Sequence, residues 1–114
     1  MTKPLIYLAG PYTNPDPVIN THKAIKVATA LIDSGYPYCP VIPHLTLLHH
    51  MVTPKPLEFW YEHDLNMLAA CAAVVRLPGA SSGADMEMEF AAERGIEQIP
   101  FIHLPDSAID AWTA

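Results

Sequence analysis

Apolar residues in this chain occur in short runs and helically spaced sets, with prolines between them. Leu5-Ile-Tyr-Leu-Ala9 is an unbroken apolar run ended by Gly10-Pro11, the pattern of a buried strand entering a turn. From Ile19 to Ser34, the residues Ala24, Val27, Ala28, Leu31 and Ile32 recur at helical spacing and Gly35 follows as a C-cap, which predicts a helix. Tyr36 to Ile42 reads as a second strand, and its prolines make it an irregular or edge strand. Residues 43–56 read as a loop holding His44, His49 and His50, and residues 57–71 as a second helix. Ala73 to Leu77 is a buried strand, 83–94 a third helix capped by Gly95, and Ile99 to His103 a last strand. Asp106 or Ser107 is placed to cap a final short helix through Trp112. Strands alternating with helices in this way predict an α/β domain, a parallel sheet with helices on both faces, and no internal repeat is visible.

Composition narrows this picture. At 114 residues the chain is expected to be a single domain, 1–114, with one core. Its 12 prolines are about twice the usual share, yet 51% hydrophobic against 16% charged residues excludes a disordered chain. The prolines therefore punctuate a fold and leave three proline-free windows for helices, 18–36, 57–77 and 79–99. A formal charge of −6, with only 6 Lys and Arg, provides no basic patch, so nucleic acid and anionic membrane surfaces are not expected partners. The longest uncharged apolar stretch, Leu65 to Val75, is about half a bilayer span, and Leu5 to Gly10 is too short for a signal peptide. The expectation is a soluble, cytoplasmic protein. Cys39 and Cys71 show no metal or redox spacing and read as buried thiols.

Two carboxylates stand out. On a helical wheel of residues 57–72, Leu57, Trp60, Tyr61, Leu65, Met67, Leu68 and Cys71 form one arc, and Asp64 falls in its middle. A carboxylate there must be hydrogen-bonded, paired or open to a cavity, because burying it alone costs several kcal/mol. On Gly83 to Gly95, Asp85, Glu89 and Glu93 share a solvated stripe, whereas Glu87 lies with Ala84, Met88 and Ala91. The serines of Gly79-Ala-Ser-Ser-Gly83 are natural N-caps, and proximity to the helix N-terminus is expected to lower the pKa of Glu87 and keep it ionised. Strand 73–77 joins these two helices, so both carboxylates can meet at its carboxyl end, where open α/β sheets bind ligands. Two carboxylates at one site are the equipment for breaking a glycosidic bond.

The first loop, Gly10-Pro-Tyr-Thr-Asn-Pro-Asp16, has neither the glycines of a dinucleotide fingerprint nor a P-loop Gly-Lys-Ser/Thr, so no NAD or ATP cradle and no cofactor is expected. Tyr7 is open to two readings, core packing with a satisfied hydroxyl or a hydrogen bond to a catalytic carboxylate. Trp60 likewise reads as core or, with Tyr12 and Tyr61, as a stacking surface. No His pair has ligand spacing, so no metal is expected, and His44 near a pocket mouth is the histidine singled out for binding.

Three ordered motifs carry a resemblance. Ile6-Tyr-Leu-Ala-Gly-Pro-Tyr12, Asp64-Leu-Asn-Met-Leu68 preceding Cys71-Ala-Ala-Val-Val75, and Ser81-Ser-Gly-Ala-Asp-Met-Glu-Met-Glu-Phe-Ala91 with Gly95-Ile96 resemble the nucleoside 2-deoxyribosyltransferase superfamily, above all its small members. The resemblance spans residues 5 to about 101. It implies a flavodoxin-like, Rossmann-like three-layer sandwich of four to five parallel strands that forms a homodimer or higher homo-oligomer. It further implies Glu87 as nucleophile, Asp64 as the acid that contacts the sugar or assists the base, and Tyr7 as the residue holding the glutamate. Gly10, Pro11, Tyr12, His44, Trp60, Ser81, Ser82 and Gly83 are the expected substrate-binding positions. Three positions depart from the family pattern. Transferases often have aspartate where this chain has Ser81, and the nucleotide-hydrolysing branch has serine and arginine where the first loop has Pro11 and Thr13.

The expected function is cleavage of the N-glycosidic bond of a nucleoside or nucleotide substrate through a glycosyl-enzyme, with the deoxyribosyl group passed to another base or to water. The alternatives are a deoxynucleoside 5′-monophosphate N-glycosidase and a nucleotide-binding sensor without turnover. The C-terminal Ile109/Trp112 pair is read as spare apolar surface for association.

Overall fold

The computed structural model describes residues 2–114. Four strands, β1 (Leu5–Ala9), β2 (Cys39–Val41), β3 (Ala73–Arg76) and β4 (Glu97–Ile99), form one sheet in the order β2-β1-β3-β4, every pair parallel. Five α-helices connect and follow them: α1 (Pro17–Asp33), α2 (Thr46–Val52), α3 (Leu57–Ala69), α4 (Ser82–Glu93) and α5 (Asp106–Thr113). This is the flavodoxin-like α/β arrangement.

Both faces of the sheet are covered, which is why β1 and the Ala73-Val74-Val75 run of β3 are apolar rather than alternating. Ile6, Leu8, Ala73, Val75 and Leu77 meet α1 and α5 through Val27, Ala28, Leu31, Ala108 and Trp112. Tyr7, Ala9 and Val74 meet α3 and α4 through Leu68, Ala84 and Ala91. The side chain of Asp16 accepts hydrogen bonds from the backbone N–H groups of Val18 and Ile19, with Pro17 as first residue, and so starts α1 firmly.

Several elements differ from the sequence reading. Residues 43–56 are not one loop: they hold a 3-10 turn at Pro43–Leu45 and then α2. No residue of α2 is fully buried, so it lacks the apolar stripe that reveals a helix in sequence. The last strand lies at 97–99 rather than 99–103, because Pro100 has no N–H to continue the ladder and residues 101–103 form a turn. Asp106 sits in the first turn of α5 and does not cap it; Pro105 precedes the helix with no side-chain cap bond. Ile32 is 63% exposed, outside the buried face of α1. In α3 only Trp60 and Leu68 of the predicted arc are fully buried, and Leu57 is 81% exposed.

Cys39 is exposed, since it opens the edge strand β2, while Cys71 is buried; both are free thiols. Ile109 and Trp112 are not spare surface: they pack into the core, and the Trp112 indole N–H donates to the Pro78 carbonyl at 2.9 Å. Among the described residues no helix is long and apolar enough to cross a membrane.

Candidate active site

The chain runs from β1 through α1 to β2 on one side, then crosses to β3 on the other side of β1. The switch point lies between the carboxyl ends of β1 and β3, where Ala9 and Arg76 are in register. Two loops meet there. Gly79 has φ +125°, and a Cβ at this position would lie 2.7 Å from Pro11 Cγ, so a side chain is barred by backbone conformation and by contact with the first loop. That first loop is tied from two further directions. The buried Asn20 side chain donates to the carbonyls of Tyr12 at 3.0 Å and Asn14 at 2.8 Å, and His44 Nε2–H donates to the Pro11 carbonyl at 3.0 Å. The second loop is tied by Arg76, which donates to the Gly79 carbonyl at 2.9 Å and to the Asp85 carboxylate at 3.0 Å. Ser81 then caps α4, its Oγ accepting from Ala84 N–H at 3.1 Å.

Between these loops and the α2–α3 segment lies a cavity of about 950 Å³. Gly10, Tyr12, Thr13 and Asn14 line it from the first loop, and Pro43, His44, Thr46, His50 and Lys55 from the α2 region. Trp60, Tyr61, Asp64 and Leu65 with Leu57, Glu58 and Glu62 line it from α3, and residues 80–84 with Met86 and Glu87 from the start of α4. A volume of this size accommodates a drug-sized or nucleoside-sized molecule.

Glu87 is 7% exposed on the cavity floor, and the fully buried Tyr7 hydroxyl donates to its Oε2. Asp64 lines the same cavity, and its Oδ1 is buried without a hydrogen-bond partner. Burial raises the Glu87 carboxyl to about 7, against the Tyr7 hydrogen bond and the Arg76 charge, which both pull it down. Burial and then the Glu87 charge raise Asp64 to about 7 as well. The expectation of a lowered Glu87 pKa is therefore corrected. Glu87 is the sixth residue of α4, a turn beyond the reach of the helix terminus, and desolvation prevails. Burial and the two carboxylates push the Tyr7 hydroxyl far above its ordinary value, so it remains a donor.

Two neighbouring carboxyls that ionise in the same range share a proton near neutrality. The hydrogen bond from Tyr7 and the charge of Arg76 favour the ionised form of Glu87, and Asp64 has neither support. That asymmetry favours Asp64 as the holder of the shared proton. The floor of the cavity thus carries two carboxyls in unequal environments, the kind of pair from which glycoside chemistry draws a nucleophile and an acid.

Seven of the eight expected binding positions, Gly10, Tyr12, His44, Trp60, Ser81, Ser82 and Gly83, line the cavity. Pro11 does not; it is buried behind the wall, where its ring packs on Gly79 and its carbonyl receives His44. Tyr7 also lies behind the surface and acts through Glu87. Burial lowers His44, against the pull of the Pro11 carbonyl, so the ring is neutral, and its Nδ1 is buried without a partner. Trp60 is a buried wall residue, held by a 2.6 Å bond from its Nε1–H to His50 Nδ1 and by the edges of Phe59, His49 and His63.

Sequence reasoning passed over Asn20, Arg76, His50 and Lys55. Asn20 had a signal, a polar residue one turn before Ala24 on the buried face of α1. The others act through loop geometry that has no periodic trace. Among the described residues no group of three or more His, Cys, Asp or Glu side chains comes together as a metal site.

Fold and site together define an α/β domain with a pair of buried carboxyls at the switch point of a parallel sheet. Comparison with known proteins finds no matching family model, no matching curated protein and no matching solved structure.

Proposed function

We propose that this protein cleaves the N-glycosidic bond of deoxynucleosides, passing the sugar to another base or to water. The reading is carried by the Tyr7–Glu87 hydrogen bond on the floor of a cavity that Asp64 shares, and the motif resemblance around these same three residues supports it. Glu87 attacks the anomeric carbon as the bond to the base nitrogen breaks, and that electron pair leaves with the base. The Asp64 proton neutralises the departing nitrogen. A second base or a water then attacks the glycosyl ester and gives Asp64 its proton, and Glu87 returns as a carboxylate.

Charge favours an unphosphorylated substrate. The cavity is lined by four carboxyl groups, those of Glu58, Glu62, Asp64 and Glu87, against one lysine, Lys55, whose ammonium lies 5.5 Å from the Phe59 ring centroid. Arg76 does not line the cavity and is engaged by Asp85 and loop carbonyls, so its guanidinium is not free to hold a phosphate.

Incubation with a 2′-fluoro-2′-deoxynucleoside is expected to leave a glycosyl ester on Glu87, located by peptide mass spectrometry. Glu87→Gln is expected to cut turnover of deoxyinosine by on the order of a thousandfold or more while the protein still folds. Base release from deoxynucleoside 5′-monophosphates alone would support the hydrolase of phosphorylated substrates instead. Thermal stabilisation by nucleosides without any product would support a sensor.

A further inference from the structure

His50 lines the cavity and is held in one tautomer by its neighbours. The Trp60 indole N–H reaches His50 Nδ1 at 2.6 Å and the Lys55 backbone N–H reaches the same atom at 3.3 Å. Indole and amide N–H groups only donate, so Nδ1 is the acceptor and the ring proton sits on Nε2. Among the described residues Nε2 makes no hydrogen bond, and it is not one of the two buried polar atoms left without a partner, His44 Nδ1 and Asp64 Oδ1. An oriented N–H donor is thus open to solvent on a half-buried cavity residue, beside the Trp60 wall.

We propose that His50 is a specificity-determining residue whose Nε2–H donates a hydrogen bond to a ring-nitrogen acceptor of the base. Deepening the nucleoside reading given above, this assignment makes the preferred ligand a purine whose ring nitrogens offer lone pairs at its edge. The bond is a hydrogen bond only, with no proton transferred. It withdraws charge from the base and so also assists departure.

The two amide isosteres of histidine separate this role from a structural one. His50→Asn places an amide oxygen near Nδ1 and can keep the Trp60 contact while losing the far donor. His50→Gln places an amide near Nε2 and restores the donor. The readout is thermal stabilisation of the wild type and both variants by 2′-deoxyadenosine and its 1-deaza, 3-deaza and 7-deaza analogues, each lacking one acceptor nitrogen. Wild type is expected to bind one of the analogues at least tenfold more weakly than the parent. His50→Asn should bind parent and analogue alike, and His50→Gln should regain at least part of the discrimination. A wild type indifferent to all three analogues, or a penalty that persists unchanged in His50→Asn, overturns the proposal. Cleavage is assayed in parallel on the wild type. Turnover without analogue discrimination sinks the His50 assignment alone; discrimination without turnover sinks the cleavage reading alone; no binding of any nucleoside sinks both.

Discussion

Ile6 and Leu8 face one side of the sheet while Tyr7 and Ala9 face the other, and this one-residue offset separates two differently built regions. The side under α1 and α5 is closed by aliphatic residues and Trp112, whose indole N–H is satisfied by a backbone carbonyl. The side under α3 and α4 carries a buried tyrosine, two carboxyls with raised pKa values and a cavity. Placing the buried carboxyls on one side alone confines the cost of desolvating them to where they can act, while the other side supplies stability. If this division is right, substitutions on the two sides should differ in kind as well as size.

The largest effect on stability is expected on the closed side. Leu31 is fully buried among the α1, α5 and sheet residues, so Leu31→Ala should lower unfolding free energy by about 3 kcal/mol, read from the urea midpoint. The folded fraction should keep its kcat/KM. A Leu31→Ala protein that is folded yet catalytically impaired would break the division, because it would mean that the closed side positions the site.

On the open side the sign reverses. The folded-state Asp64 carboxyl titrates at about 7, above its ordinary 3.8, so the native protein holds a proton that the unfolded chain has released over that interval. Stability from this group is greatest below the lower value and is lost as pH rises through about 7. Asp64→Asn, which cannot ionise, should therefore be more stable than the wild type at pH 8 by on the order of 2 kcal/mol and nearly equal to it at pH 4. The same change should reduce turnover, since the amide has no acidic proton to give. Melting curves across this range test the sign; parallel profiles for the two proteins would place the buried cost elsewhere than Asp64.

The closed side was largely legible in the sequence. Val27, Ala28 and Leu31 at helical spacing, and an apolar β1 and β3, specify buried faces because burial selects residue type at every contact. The two carboxyls were legible for the complementary reason, that each interrupts such a face. What escaped is polar or exposed: α2, which fully buries nothing, and Asn20, His50 and Arg76, which bind backbone groups or side chains of other segments. A hydrogen bond between Asn20 and the carbonyl of Tyr12 depends on where the chain returns in space, and no period in the sequence records that. The pKa of Glu87 failed for the same reason, because helix position suggested a lowered value whereas burial by packed neighbours sets it.

The smallest and sharpest effect belongs to Tyr7, which belongs to the core of the sheet and supports the site as well. Tyr7→Phe keeps the ring that packs between β1, α3 and α4 and removes only the hydroxyl that donates to Glu87. The loss in stability should be about 1 kcal/mol, the ordinary net value of one hydrogen bond. The chemical effect has a direction of its own. The Tyr7 bond is one of two influences holding Glu87 below where burial alone would put it, so without it the Glu87 pKa rises above about 7. The acid limb of the kcat/KM profile, which reports loss of the Glu87 carboxylate, should then move to higher pH and narrow the profile, because Asp64 must still hold its proton. A purely structural tyrosine would lower activity evenly at every pH, so an unshifted limb would return Tyr7 to the core and leave Glu87 to be oriented by α4 alone.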